Sequence, residues 1–353
     1  MSSVIRTGIA SFGMSGKVFH APFIKQHPGF ELVSIVERNK SESREKYPET
    51  KLVRSFEELL ADVSIELVVV NTPVQTHFEY AKLALQAGKK LVVEKPFTIT
   101  GAEAKELDEL ARSTNSFLSV YQNRRYDADF VAVKEVVDQK LLGELREVEI
   151  RYDRFRPGFS GKDHKESAIA GSGLLHDLGT HMVDQALQLF GCPQKLFADL
   201  RVVRDSETSA NDCIEVILYY PKLRVRIKST VIGRAVYPSF VLNGMNGSFL
   251  QDRSDRQEAE LLAGVMPSVS DWSPVPEQPD GFLHIDLNGK ELKEHRTSRP
   301  GNFMRYYDEV WKAINGQGPN PVPASDAVKT MNIIDAAIRS NNEGRVIELP
   351  VIG

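Results

Sequence analysis

Three groups of residues have types and spacings suited to chemistry. The first is the turn Ser11-Phe12-Gly13-Met14-Ser15-Gly16, which follows a short apolar run and leads into Lys17-Val18-Phe19-His20. It stands where a dinucleotide-binding turn, G-x-G-x-x-G, belongs, with Ser11 in place of the first glycine. Gly13 would let the backbone approach a pyrophosphate, and Gly16 would allow close helix–strand packing. Unpaired amides at the helix start would receive the phosphates. An ordinary tight turn can carry the same residues, but placement after the first strand of an alternating series favours the nucleotide reading. Twenty-one residues after Gly16 comes Glu37, where a carboxylate would bind ribose hydroxyls and repel a 2′-phosphate. Arg38 beside it would pair with that phosphate. The two together lean towards NAD and leave NADP open.

The second group ends two strand-like runs: Asn71-Thr72-Pro73 with Thr76-His77, and Glu94-Lys95-Pro96. In an open α/β sheet, ligands bind at the carboxyl ends of strands. A lysine there, beside a nicotinamide ring, would have its pKa lowered by desolvation and by the positive ring, and could help move a hydroxyl proton. The plain alternative is a structural pairing of Lys95 with Glu94. The third group lies in Gly171-Ser172-Gly173-Leu174-Leu175-His176-Asp177-Leu178-Gly179-Thr180-His181. On a helix, Asp177 and His181 share a face, whereas Leu175, Leu178, Met182, Ala186 and Leu189 form the apolar stripe. Gly179 costs about 1 kcal/mol of helix stability relative to Ala, which points to a close approach there. A structural pair four residues apart is the alternative. A zinc site is disfavoured, because His176 and His181 point in different directions and no third ligand is spaced nearby, so no metal is expected.

The elements that must position these residues change rhythm along the chain. Strands are predicted at 6–10, 31–37, 66–71, 90–94 and 117–121, with helices at 55–61, 76–87 and 100–112. Ser55 with Glu58 and Thr100 with Glu103 read as capping boxes, and Gly88 as a helix stop. Strands separated by helices of this length mean βαβ units and a parallel sheet. Pro22 should kink or shorten the first helix. Beyond about residue 125 come helices at 128–140 and 174–190, the latter ended by Gly191. Strands follow one another at 145–155, 196–203, 213–220, 224–231 and 239–242, which suggests a mostly antiparallel sheet. A proline-rich loop at 265–281, a helix at 324–340 and a strand at 346–349 complete the reading.

The 353 residues suit two domains, and 41% hydrophobic with 26% charged residues is an ordinary globular mix. Forty-four basic against 48 acidic side chains give a formal charge of −4, which argues against a nucleic-acid or anionic-membrane binder. The same balance, with no aromatic-basic RNA motif, rules against Asn123-Arg124-Arg125 and the arginines from Arg151 to Arg156 as a nucleic-acid patch. Cys192 and Cys213 form no CxxC and are expected to be free thiols in a reducing compartment. The chain starts with no signal-peptide pattern and has no membrane-spanning apolar run, so a cytoplasmic location is expected.

Taken together, these motifs resemble a known family. Gly13 and Gly16 with Lys17-Val18-Phe19-His20-Ala21-Pro22, then Thr72-Pro73 and His77, Glu94-Lys95-Pro96, Asn123-Arg124-Arg125 and Asp177-Leu178-Gly179-Thr180-His181 resemble the glucose–fructose oxidoreductase/inositol dehydrogenase/rhizopine catabolism (Gfo/Idh/MocA) family. The likeness covers nearly the whole chain in order. Tyr152 to Pro157, Gly171-Ser172-Gly173 and Asn320 to Ser325 are most similar to its branch of NADP-dependent scyllo-inositol dehydrogenases. The resemblance implies a Rossmann domain with a doubly wound parallel sheet over 1–123. It implies an α+β domain over 124–353, with a large open, mostly antiparallel sheet that serves substrate binding and assembly into a homodimer or homotetramer. The last helix is expected to pack back on the Rossmann domain.

By the same resemblance, NAD or NADP contacts fall to Phe12, Gly13, Met14, Ser15, Gly16, Glu37, Arg38, Thr72, Pro73, His77, Glu94, Lys95 and Asn123. Substrate contacts fall to Lys95, Arg124, Tyr152, Arg154, Arg156, Asp177 and His181. The expected chemistry is reversible oxidation of a secondary alcohol on a cyclic polyol or sugar, with hydride passing to nicotinamide in a cleft between the domains. In it His181 accepts the hydroxyl proton, Lys95 stabilises the developing negative charge and Asp177 fixes neighbouring hydroxyls. The alternatives are an aldose or dihydrodiol dehydrogenase, and a nucleotide-binding regulator without catalysis. Such regulators usually lose part of the Lys/Asp/His set, which is complete here.

Overall fold

A computed structural model describes residues 4–161, 163–204, 210–268, 272 and 280–350. It divides into two compact units. One holds the chain up to Asn123, the segment that begins at Arg256, and Asn302–Val328. The other holds Arg124–Asp255, the segment that ends at Gly301, and the chain from Lys329.

In the first unit, six strands form a parallel sheet among the described residues: β1 (Ile5–Ile9), β2 (Phe30–Val36), β3 (Lys51–Val53), β4 (Leu67–Val70), β5 (Lys90–Glu94) and β6 (Leu118–Tyr121). Their order is β3-β2-β1-β4-β5-β6, so the sheet winds outward in both directions from β1. Every residue of β4 is buried, and Leu91, Val92 and Val93 of β5 are fully buried. Such unbroken apolar runs are what strands covered on both faces require. The five strands read from the sequence are present, and β3 is an addition too short to show a periodic pattern. Pro22 acts as expected: a π-helical turn, Gly16–His20, gives way to a short helix, Ala21–Gln26, with the proline in its first turn.

In the second unit, nine strands form one sheet among the described residues, in the order β14-β13-β12-β11-β7-β10-β9-β8-β15. They are β7 (Leu145–Arg151), β8 (Lys195–Arg201), β9 (Cys213–Tyr219), β10 (Arg224–Thr230), β11 (Phe240–Gly244), β12 (Gly247–Gln251), β13 (Gly281–Leu287), β14 (Lys290–Arg296) and β15 (Ile347–Glu348). All neighbours are antiparallel except β7 and β10. In β9 alternate residues, Ile214, Val216 and Leu218, are buried, the pattern of a sheet with one covered face. The predicted strand at 145–155 stops at Arg151, with one isolated bridge from Phe155 to Ile232. The strands β12, β13 and β14 and the helix Met304–Ile314 were not anticipated. Of the predicted loop at 265–281, residues 269–271 and 273–279 lie outside the described residues, and Gly281 already belongs to β13. No helix of the described residues is long and apolar enough to cross a membrane, and Cys192 and Cys213 are free.

Candidate active site

Because the sheet of the first unit is parallel, the residues that follow β1, β4 and β5 emerge at one edge. The turn after β1 closes tightly. A Cβ on Gly16 would lie 2.2 Å from the Ser11 carbonyl oxygen and 3.0 Å from Asn71 Nδ2, so only glycine fits. Ser11 needs no glycine conformation, and its Oγ accepts the Gly13 N–H at 3.3 Å. The Lys17 N–H donates to the Gly13 carbonyl at 3.0 Å. Asn71, from the end of β4, donates to the Ser11 carbonyl at 2.8 Å and to Ser15 Oγ at 3.3 Å. It therefore ties two strand ends together, a role the sequence reading did not assign. Gly13 is exposed, with only Ser11 Oγ within 4 Å of the Cβ position it lacks. Asn71 Oδ1 is buried with no hydrogen-bond partner among the described residues. An open glycine face and amides at a helix start offer donors to a dinucleotide's phosphates, and Asn71 Oδ1 offers an acceptor, a set that fits a dinucleotide.

Glu37 has hydrogen-bond partners within the protein. Its carboxylate is buried and accepts the Glu42 N–H at 3.2 Å, the Ser43 N–H at 2.8 Å and the Ser43 hydroxyl at 2.5 Å. It caps the short helix Glu42–Lys46, so both oxygens that were expected to hold ribose hydroxyls are engaged by the protein. Arg38, next along the chain, is exposed. Lys17 pairs with Glu42, which also binds Lys40 at 2.8 Å.

At the ends of β4 and β5, His77 is buried, with Nε2 2.7 Å from the Thr72 carbonyl and Nδ1 2.8 Å from that of Pro96. It staples the two loops, so both ring nitrogens are engaged before any cofactor is considered. Burial pushes its pKa down, while the two carbonyls and nearby Glu94 push it back up. Thr72 Oγ1 meets Thr76 Oγ1 at 2.7 Å. Lys95 follows β5, and its peptide bond to Pro96 is cis. The Lys95 N–H donates to Glu94 Oε2 at 2.9 Å. The Glu94 carboxylate thus has partners within the first unit, this N–H and Nε2 of His20 at 2.9 Å.

In the second unit, Gly173 takes a φ of +90°, which favours glycine, and turns the chain into a π-helical turn, Leu175–Gly179. Asn211 caps that turn: its carbonyl accepts the Leu174 N–H at 2.7 Å and its Oδ1 the Leu175 N–H at 2.9 Å. The α-helix Thr180–Phe190 continues from it, so the single predicted helix has a wide first turn. π-Helical turns are rare and frequent at functional sites. The close approach at Gly179 is made by core side chains, with Leu175 Cδ1 3.1 Å and Ile214 Cδ1 3.5 Å from the missing Cβ.

Asp177 is partly exposed and pairs with Lys165 at 2.8 Å, whereas His181 is buried. The Arg154 guanidinium has no hydrogen-bond partner among the described residues. Burial pushes its pKa down, and Asp177 counters. Arg154 is half-buried, and the Asp177 charge acts on it. Tyr152 is buried, and its hydroxyl donates to Gln185 Oε1 at 2.8 Å. Arg156 is exposed on the surface, and the buried Arg124 pairs with Asp127 at 3.3 Å. Asn123 is buried at the start of a 3₁₀ turn, Asn123–Tyr126.

Comparison with known proteins bears on both halves. A family model described as an oxidoreductase family, NAD-binding Rossmann fold, matches residues 5–122. Its companion, the C-terminal alpha/beta domain of the same oxidoreductase family, matches residues 134–349. The uncharacterized oxidoreductase YdgJ of Escherichia coli is 38% identical over 96% of this chain and 97% of its own length. The scyllo-inositol 2-dehydrogenase (NADP(+)) IolW of Bacillus subtilis is 32% identical over 98% of this chain and 96% of its own. The crystal structure of an oxidoreductase from Bacillus cereus, 32% identical, superposes with a TM-score of 0.89 and covers 99% of each chain.

Proposed function

The chain belongs to the Gfo/Idh/MocA oxidoreductase family of NAD(P)-dependent dehydrogenases, and from that premise we propose that it oxidises a secondary alcohol of a cyclic polyol, inositol-like in shape, with NADP as the preferred partner. The observation that carries the reading is the single edge of the parallel sheet that collects the Gly13–Gly16 turn, Thr72-Pro73 and Lys95. The preference for NADP draws on the engagement of Glu37 by its own helix and on the exposed Arg38, which suits a 2′-phosphate. The polyol draws on the relative named scyllo-inositol 2-dehydrogenase.

In this reading Phe12 to Gly16 bind the cofactor's phosphates through backbone amides. When bound, the nicotinamide takes up a hydride, which is chemistry the side chains do not supply. Lys95 donates a hydrogen bond to the reacting oxygen and stabilises its developing negative charge. His181 accepts the hydroxyl proton, and Asp177 with Arg154 holds neighbouring hydroxyls. The rest of a polyol's oxygens need polar partners, since each one buried without a bond costs about 1–3 kcal/mol.

The test is a screen of inositols, aldoses and dihydrodiols with NADP and NAD separately. Turnover of an inositol with NADP is expected, and turnover only of an acyclic aldose or a dihydrodiol overturns the substrate. Lys95→Ala and His181→Ala should each lower turnover roughly 10²–10⁴-fold, the scale of a positioned acid–base group, with NADPH binding retained in His181→Ala. Unchanged turnover in either variant removes that residue from the chemistry.

A further inference from the structure

A buried carboxylate is stable only where hydrogen bonds replace its water. Glu94, the last residue of β5, is 8% exposed. Its Oε2 accepts the Lys95 N–H at 2.9 Å, and its Oε1 lies 2.9 Å from Nε2 of His20. His20 is 0% exposed and arrives from the π-helical turn that opens at Gly16. Its Nδ1 is 2.5 Å from the hydroxyl of Tyr307, fully buried on the helix Met304–Ile314.

The partners fix the direction of this chain. An ionised carboxylate only accepts, so Nε2 of His20 carries the hydrogen that Glu94 receives. Nδ1 of a neutral ring then accepts the Tyr307 O–H. Every donor in the series Tyr307, His20, Glu94, Lys95 N–H has its acceptor. Burial alone would raise the Glu94 pKa, but the hydrogen bond from His20, with the Lys95 charge nearby, holds it below the usual glutamate value. Tyr121 and Tyr306 flank Tyr307, whose own pKa burial pushes well up, so its hydroxyl keeps its proton.

Packing does not require these residue types. The same aromatic cluster, with Phe23 stacked 5.8 Å from Tyr307 and Tyr121 4.7 Å from His20, would be filled as well by apolar rings. A fully bonded polar series inside a core costs desolvation and gives a fixed geometry in return. That geometry ends on the backbone amide of Lys95. We infer that His20 and Tyr307 are positioning residues for Lys95, acting through the Glu94 carboxylate. The inference rests on the reading of Lys95 as the residue that meets the reacting oxygen.

Two measurements on the full-length protein test it. The first uses protein labelled with carboxyl-¹³C glutamate and follows the Glu94 titration, assigned by its loss in Glu94→Gln. His20→Leu should raise the midpoint by about 1 pH unit or more, and His20→Gln, whose amide can still donate to Oε1, should restore most of the shift. An unmoved midpoint in His20→Leu overturns the link to Glu94. The second splits turnover from binding. Tyr307→Phe, which removes one hydroxyl and keeps the ring, should lower kcat about 3- to 10-fold, and His20→Leu more, with the NADPH Kd unchanged within about twofold. The acidic limb of kcat should move up with the Glu94 midpoint. Unchanged kcat in Tyr307→Phe and His20→Leu, or a Kd that weakens in parallel with kcat, overturns the positioning role. Lys95→Ala with full turnover would instead sink the catalytic reading, and the Glu94 titration stands apart from that result.

Discussion

At Glu37, both carboxylate oxygens accept hydrogen bonds from Glu42 and Ser43, so cutting the side chain back leaves buried amides at a helix start without acceptors. Glu37→Ala should therefore destabilise the protein by about 1–3 kcal/mol, read from a urea transition. It should leave the ratio of NADP to NAD efficiency within about twofold. Arg38→Ala should lower NADP efficiency about tenfold or more, the scale of one charged hydrogen bond, and spare NAD. A Glu37→Ala variant that gains NADP use without losing stability would put the carboxylate back at the ribose. The spacing from Gly16 puts this pair at a strand end, and both residues follow β2. It did not reveal their roles, because the capping partners of Glu37 lie in a helix of five residues, too short to announce itself. Tyr152 is a similar case. It is buried just past the end of β7, and only the fold brings Gln185 to its hydroxyl.

Element boundaries follow the same logic, being readable where the stabilising contact is local. The Thr100 and Glu103 capping box forms in both directions at the start of Gly101–Ser113. Thr100→Ala should cost about 1 kcal/mol, and an unchanged urea midpoint would show that the box contributes nothing. At Ser55 only half of the expected box forms. Its Oγ accepts the Glu58 N–H at 3.1 Å, but the Glu58 carboxylate reaches past it to the Arg54 N–H at 3.0 Å. The two π-helical turns had no such signal, because the first depends on Asn71 and the second on Asn211, both far along the chain. The helix that carries Tyr306 and Tyr307 begins at Phe303 without a capping side chain there, and Asn302 Oδ1 takes the Met304 N–H instead. The Gly16 turn allows a sharp prediction. In Gly16→Ala the new Cβ would sit 2.2 Å from a backbone oxygen, which the turn can relieve only by opening. NADPH binding should fall below detection in a fluorescence titration while the rest of the sheet persists by circular dichroism. Binding within about twofold of wild type would mean that the turn does not hold the phosphates.

Over the whole chain, the sequence changes rhythm near residue 125, and the chain crosses between the compact units at Asn123 and Arg124. The return crossing at Asp255 and Arg256 was not legible, since segments re-entering the first unit carry helices that resemble those of any α+β domain. Within the second unit the two crossings are held beside each other. The Ala128 N–H donates to Asp255 Oδ2 at 2.9 Å, and the Ser254 N–H to Asp129 Oδ2 at 3.1 Å. Arg124 and Arg253 both face Asp127, at 3.3 and 3.6 Å. Asp127 and Asp129 are each 0% exposed, and burial pushes both pKa values up, opposed by the charges of Arg124 and Arg253. A carboxyl whose pKa is raised on folding keeps its proton in the native state over a pH range where the unfolded chain has released it. Its contribution to stability is full below the ordinary aspartate value and is lost as pH rises through the raised native value. Other groups, such as Glu94 and His77 with lowered values, change stability in the opposite sense, so the comparison must be differential. Asp129→Asn, which keeps an oxygen for the Ser254 amide and removes the titration, should gain stability relative to wild type as pH rises from about 4 towards 7. Urea unfolding of both proteins across that range measures the difference. A difference that stays flat, or that moves in favour of wild type as pH rises, would show that Asp129 is ionised in the folded chain and that its arginine neighbours outweigh its burial.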